Sequence, residues 1–339
     1  MKKIIGIFVI VFIACLFVQA DVPAFAKGPK PKYFIDEKKL PFDAVPGIET
    51  ERYWGVHNGA GYHIEVPAEW NGDLVVYTHG YTGDGLELEV QDPPHRAWLI
   101  ANGYAWAASS YSKNAYDVAQ GAKDTHHLTK YFNELVGEPE YTFITGFSMG
   151  GHIAAVAIEQ WPNAYDGAVP MCGVMADYEL FDFFLDFNLV AQALAGIEAV
   201  YPPADDYMTV TVPAIKSELE LVPGTFPYTL NVDGELLKAV TEMQSGGDRP
   251  VFDQGFLFWN GGLPGKDFLF GLGTGTGTLT KVKGMPVENN DTVYQFDADP
   301  ALTEDEQALN NNVLRLERDP QSKHPNGLAN VPVVSGDIS

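Results

Sequence analysis

Between Asp73 and Cys172 the chain alternates short apolar runs with stretches of helical period, and this alternation narrows the possible folds more than any other feature. The run Asp73-Leu74-Val75-Val76-Tyr77-Thr78 is short, β-branched and flanked by glycine, the pattern of a strand buried on both faces. Residues 104–109, 141–145 and 168–172 read as further strands. Between them, residues 96–102 predict a helix closed by Gly103, and residues 115–136 a longer one that stops at Gly137 with Pro139 just beyond. Residues 149–160 predict a third, ended before Pro162. Two strand-like stretches, 51–57 and 61–66, come first, and residues 27–46, rich in Lys and Pro, read as a leader packed on the body. The expectation is an α/β fold: a mainly parallel sheet with helices on both faces.

The alternation stops near Gly173. Residues 178–195 form a helical stretch that is apolar almost all round, with Leu180, Phe181, Phe183, Phe184, Leu185, Phe187 and Leu189. Such a helix is buried on several sides or covers a cavity. Residues 200–300 hold many Pro and Gly and no clear period. Residues 174–300 are therefore read as an inserted cap, between a first part of the core at 27–173 and a return to it at 301–339. Thr303 and Glu306 make a capping box ahead of Leu309, Val313 and Leu316, a helix ended by Pro320.

The N-terminus is an address rather than a fold element. Lys2 and Lys3 precede an apolar run over residues 4–18, shorter than the ~20 residues that span a bilayer. Small residues follow at Val18-Gln19-Ala20 and at Ala24-Phe25-Ala26, so residues 1–26 read as a secretory signal peptide, with the mature chain starting near Asp21 or Lys27. The alternatives are a retained anchor and, through Ile13-Ala14-Cys15, a lipoprotein; Phe12 and the apolar residues after Cys15 speak against the latter. Export would leave Cys172 as the only cysteine, hence no internal disulfide, and its apolar surroundings predict a buried, inert thiol. With 45 Asp and Glu against 21 Lys and Arg the formal charge is -24, which repels phosphate backbones and anionic membrane surfaces. Nucleic-acid and membrane partners are thus not expected.

The motif that carries chemistry is Gly146-Phe147-Ser148-Met149-Gly150, followed by Gly151 and His152. A G-x-S-x-G match means little alone, but this one lies where a strand gives way to a helix. A sharp strand-to-helix turn needs small flanking residues (Gly146 and Gly150) and lifts the serine hydroxyl clear of the sheet, towards the positive end of the next helix. Ser148 is the candidate nucleophile. At the end of an earlier strand stands His79-Gly80-Tyr81. Acyl transfer builds negative charge on the carbonyl oxygen, and the backbone N–H groups of Met149 and Tyr81 are the candidate donors for it, with His79 and Gly80 supporting that loop. The plain alternative is a glycine turn.

The segments LVVYTHGYTGDG, WLIANGYAWAASSY, YTFITGFSMGGH and NAYDGAVPMCG resemble the secreted bacterial α/β-hydrolases, in the manner of polyester depolymerases, feruloyl esterases and prolyl-oligopeptidase-like esterases. The resemblance covers residues 50 to about 175 well and the cap only loosely. It implies the α/β-hydrolase fold and hydrolysis of carboxylic esters, small or polymeric, through an acyl-serine intermediate, without a cofactor. In that fold the serine is followed by an acid and then a histidine. Here only His152 and His324 follow Ser148. His152, four residues along the same helix, points away and is read as structural; His324 sits in a turn before the last apolar run. Asp337 is one position for the acid, but the ending resembles the segment before a further strand, so the expectation is a chain incomplete at its C-terminus, with acid and base beyond residue 339. Two other readings stand beside the esterase: an inactive remnant or binding protein that lacks the base, and a serine peptidase.

Other patterns lead nowhere. The glycine-rich stretch 271–278 lacks G-K-[ST] and reads as a flexible loop, not a phosphate cradle. His126 and His127 are adjacent on a helix and cannot both face one metal, and no cluster of Asp, Glu and His has zinc or calcium spacing. The Phe-rich stretch 181–187 reads first as core and second as a ligand pocket.

Overall fold

Asn58 and Gly59, both left-handed (φ 51 and 84), turn Thr50–His57 (β1) back onto Ala60–Pro67 (β2), and the two strands pair in register from Thr50 with Pro67 to His57 with Ala60. In the computed structural model the described residues are 32–83, 85–173, 175, 178–223, 229–259, 268–272, 287–320 and 334. Met1–Lys32 is a unit apart from Tyr33–Ser339. The segment expected to be a signal peptide, with its two candidate exit sites and Cys15, lies outside the described residues.

Four more strands follow: Leu74–Thr78 (β3), Ala105–Ser109 (β4), Thr142–Phe147 (β5) and Gly167–Met171 (β6). The sheet runs β1-β2-β4-β3-β5-β6; β1 and β2 are antiparallel and the other four parallel. Arg96–Ala101 (α1) crosses on one face. Its Leu99 and Ile100 pack with Val75, Tyr77, Trp106 and Ala108, and Phe42 and Val45 of the leader join them. Val118–Leu135 (α2) and Met149–Gln160 (α3) cover the other face, where Leu128, Phe132, Ala154 and Ala157 meet Ile64, Leu74, Val76, Ala107 and Ile144. Strand order, crossovers and helices on both faces make this the α/β-hydrolase fold expected from the sequence.

One buried charge network ties the α1 face together. Glu65 is fully buried and accepts from Arg96 Nε at 2.6 Å, Arg96 Nη2 at 3.0 Å, Trp106 Nε1 at 2.9 Å and Thr50 Oγ1 at 3.0 Å. Four donors on one carboxylate are what make its burial tolerable, and removing one partner of such a pair costs about 3–5 kcal/mol.

Two ends near the elbow differ from expectation. α2 begins at Val118 rather than residue 115, because Ala115 is left-handed (φ 68) and donates to the Gly83 carbonyl at 2.8 Å, while the Asp117 side chain caps the helix at Gln120 N. β6 ends at Met171, so Cys172 is not the buried thiol expected from its apolar run. It is exposed, with φ 50, because the chain turns off the sheet edge there.

Beyond Gly173 the named elements among the described residues are helical: Tyr178–Leu194 (α4), a π turn at Tyr207–Thr211, Val212–Leu219 (α5), Val232–Gln244 (α6), Phe252–Trp259 (α7), Phe268–Leu272 (α8) and Glu304–Asn312 (α9). α4 is buried as its apolar circumference requires. Phe181, Leu185, Phe187, Leu189 and Val190 form one cluster with Ile215, Leu237, Phe256 and Phe270 of the cap, and with Tyr116, Met149, Ile153 and Val156 of the core. α9 carries the predicted capping box but stops eight residues before Pro320 (320 − 312). The Arg315 guanidinium takes the Asn289, Thr292 and Asn310 carbonyls, and Leu316 N donates to Asn289 Oδ1 at 2.7 Å, so tertiary bonds draw residues 313–316 out of the helix.

Candidate active site

Phe147 ends β5 and Met149 begins α3, leaving Ser148 alone to reverse the chain. Its φ of 55 and ψ of −122 fall outside the regions a side-chain-bearing residue normally occupies, at a cost of order 1–3 kcal/mol. Hydrogen bonds on both sides hold it there. Ser148 N donates to the Met171 carbonyl at the end of β6 at 3.0 Å, and His152 N donates to the Ser148 carbonyl at 3.1 Å. The residue is exposed, whereas Met149, Gly150 and Gly151 behind it are buried.

The flanking glycines are dictated by β3. A Cβ on Gly150 would fall far inside van der Waals contact distance of the Thr78 carbonyl oxygen and 2.8 Å from that of His79; a Cβ on Gly146 would strike Thr78 Oγ1 and lie 2.7 Å from the Gly150 carbonyl carbon. Thr78 Oγ1 lies 3.0 Å from the Thr145 carbonyl and 2.7 Å from that of Gly150, so its one proton ties β3 to the elbow through either. Nothing in the motif pointed to Thr78, although it immediately precedes His79.

From Thr78 the chain runs directly past the serine. A Cβ on Gly80 would sit 3.3 Å from the Phe147 carbonyl oxygen and 3.6 Å from Ser148 Cβ, so the His79-Gly80-Tyr81 loop and the elbow are in contact. His79 is buried, stacked on Tyr111 (centroids 4.1 Å, planes at 23°), with Nδ1 2.7 Å from the Gly80 carbonyl. Burial lowers its pKa from 6.5, against the pull of the Gly80 and Ser110 carbonyls, so the ring is neutral at pH 7. Tyr81 is half-buried against the cap cluster. Met149 opens α3, where the first N–H groups have no partner within the helix.

Among the described residues no histidine side chain is hydrogen-bonded to the Ser148 hydroxyl. His152 is fully buried with Nδ1 3.3 Å from the Tyr116 hydroxyl, His63 is paired with Asp92 at 2.7 Å, His57 stacks on Tyr131 and His126 on Trp161. His127 is exposed while its neighbour His126 is buried. His324, Asp337 and most of the glycine-rich stretch 271–278 lie outside the described residues. Among the described residues no group of three His, Cys, Asp or Glu could hold a metal. A polar cavity of ≈ 660 Å³ opens in the cap among Asp182, Asp186, Gln244, Glu288, Asn289 and Arg318; Ser148 does not line it.

No family model matches the chain. Over 174 residues, 48% of this chain and 36% of the relative, it is 25% identical to the o-phthalyl amidase of Xanthobacter agilis, so it spans little more than a third of that protein's length. Solved structures similar to it include an acetyl xylan esterase from Aspergillus awamori, at 20% identity, TM-score 0.31 and coverage of 38% of this chain and 54% of that one. Feruloyl esterase B from Aspergillus oryzae aligns at 15% identity, TM-score 0.35 and coverage of 47% and 38%.

Proposed function

We propose that the protein is an exported serine hydrolase that cleaves carboxylic esters through an acyl-serine intermediate. The observation that carries this reading is the elbow: an exposed serine in a strained conformation, at the carboxyl end of a parallel sheet, with the His79-Gly80-Tyr81 loop against it. Ser148 Oγ attacks the ester carbonyl and passes its proton to a base. The carbonyl oxygen, now negative, lies between the N–H groups of Met149 and Tyr81. Collapse of the intermediate breaks the ester C–O bond and releases the alcohol with that proton. Water then hydrolyses the acyl-serine, giving the acid and restoring the hydroxyl. No histidine among the described residues is placed to be that base; His324 follows Ser148 in the chain and lies outside the described residues, so it is tested directly.

Amide cleavage is the second reading, favoured by the amidase relative; the machinery serves both bonds. Purified protein is assayed with p-nitrophenyl acetate and p-nitroacetanilide beside Ser148→Ala and His324→Ala. The expected result is ester turnover reduced to the buffer blank by Ser148→Ala, with an acetyl group found on the peptide carrying Ser148 at early times. Turnover that is equal with and without the serine hydroxyl overturns the proposal. Binding of esters without any turnover favours the inactive, substrate-binding reading, and turnover that survives His324→Ala removes that histidine as base.

A further inference from the structure

We propose that Tyr111 is a positioning residue which, acting through His79, sets the direction of the Tyr81 N–H; this rests on the serine-hydrolase reading above. A peptide unit is planar and trans, so a carbonyl and the N–H of the next residue point in opposite directions. Whatever fixes the Gly80 carbonyl therefore aims the Tyr81 N–H. His79 Nδ1 does so, 2.7 Å away; a carbonyl oxygen can only accept, so Nδ1 is the donor in this contact. What fixes His79 is Tyr111. The phenol stacks on the imidazole, its centroid 4.1 Å away, and its hydroxyl donates to the His79 carbonyl at 3.0 Å. One side chain thus holds both ends of the residue that aims the donor.

The rest of the segment supports the same loop. Ala115 N donates to the Gly83 carbonyl at 2.8 Å, and Asn114 Nδ2 lies 2.7 Å from both the Gly85 and the Glu87 carbonyls. The segment is itself over-determined. Tyr111 is left-handed (φ 56), its N–H donates to Ser109 Oγ at 3.0 Å, and Ser110 Oγ donates to its carbonyl at 2.8 Å. Ser112 gives both its N–H and its hydroxyl to Asp124, a buried carboxylate on α2, at 2.7 Å each. A left-handed tyrosine persists only where its surroundings insist on it, and strain of this kind collects where geometry is used. A residue serving only to fill space would not need its hydroxyl.

The decisive variant is Tyr111→Phe, which keeps ring, stack and volume and removes one O–H. Full-length wild type, Tyr111→Phe, Tyr111→Leu and Ser148→Ala are compared in ester kinetics and in amide hydrogen exchange of residues 79–83. Tyr111→Phe is expected to lower kcat about tenfold with KM within about twofold, a fraction of the loss that follows complete removal of an oxyanion donor. Exchange at Gly80 and Tyr81 should quicken in both tyrosine variants, more in Tyr111→Leu. Wild-type kcat together with wild-type exchange in Tyr111→Phe overturns the proposal. If turnover does not depend on Ser148, the hydrolase reading has failed, and exchange alone decides: faster exchange in Tyr111→Phe upholds the positioning role, and unchanged exchange removes it.

Discussion

At the scale of single residues, the two kinds of glycine around the site do different things. Gly146 and Gly150 are glycines because the backbone of β3 occupies the space a methyl group would need. Gly83, at φ 94, has nothing within 4 Å of its missing Cβ and is constrained only by its conformation. Gly146→Ala must push Thr78, and hence a central strand, so it is expected to cost about 3 kcal/mol or more, at the upper end of overpacking effects. Gly83→Ala adds only left-handed strain, about 1–2 kcal/mol. Urea unfolding of both variants checks the contrast; equal midpoints would mean that β3 does not press on the elbow. This also explains what was readable in advance. Gly146, Ser148 and Gly150 announce themselves because steric exclusion dictates composition at fixed spacing. Thr78 and Tyr111 act through one hydroxyl each, at positions where any core residue would look equally suitable, so no local pattern marks them.

At the scale of elements, each expected strand of the core is present within a residue or two; β2, β3 and β4 are buried throughout, and a strand buried on both faces has no polar alternative to its apolar run. The misplaced ends are those where tertiary hydrogen bonds take over, from the Arg315 and Asn289 side chains at the end of α9 and from the Gly83 carbonyl before α2. The cap helices after α4, unlike α4 itself, were illegible for a related reason. α6 carries Gly234 in its first turn because the Leu219 carbonyl approaches there, and α5 opens with Pro213, so residues that read as breakers sit at the very start of helices. α4 supplies the prediction at this scale. Asp186 is buried, accepting from Tyr294 Oη at 2.7 Å and Gln244 Nε2 at 3.2 Å, and so joins α4, α6 and the segment before α9. Burial raises its pKa from 3.8 to about 7; the Tyr294 hydroxyl, Arg315 and Gln244 oppose the rise, and Asp182 adds to it. The folded state therefore binds this proton more tightly than the unfolded chain does, and stability falls as pH rises between about 4 and 7. Asp186→Asn removes the ionisation while keeping an acceptor for Tyr294. Its stability relative to wild type should rise from pH 5 to pH 8 by about 3 kcal/mol at most, read from urea unfolding at each pH. A difference independent of pH would place the carboxylate in contact with water.

At the scale of the whole molecule, the cap is continuous with the core. Met149, Ile153 and Val156 of α3 and Val118 and Ala122 of α2 share one apolar cluster with Phe181, Leu185 and Leu189 of α4, so the helix that follows the nucleophile is buried partly by the cap. A lid that opened freely would expose that whole face to water, at about 25 cal/mol for each Å² of apolar surface. The elbow and the cap are thus expected to unfold together, even though chains of this length commonly come apart in stages. Amide exchange followed against urea gives the check. The slowest amides of α3 and of α4 should converge on the same opening free energy and the same urea dependence, which reports the surface exposed. The charge of -24 supplies a control, because self-repulsion spread over the molecule is screened by salt and should strengthen both helices equally between low and physiological ionic strength. If α4 exchanges through a smaller opening with a shallower urea dependence while α3 stays protected, cap and core are separate folding units, and the α3 face buried under Phe181 and Leu185 is exposed each time the cap opens.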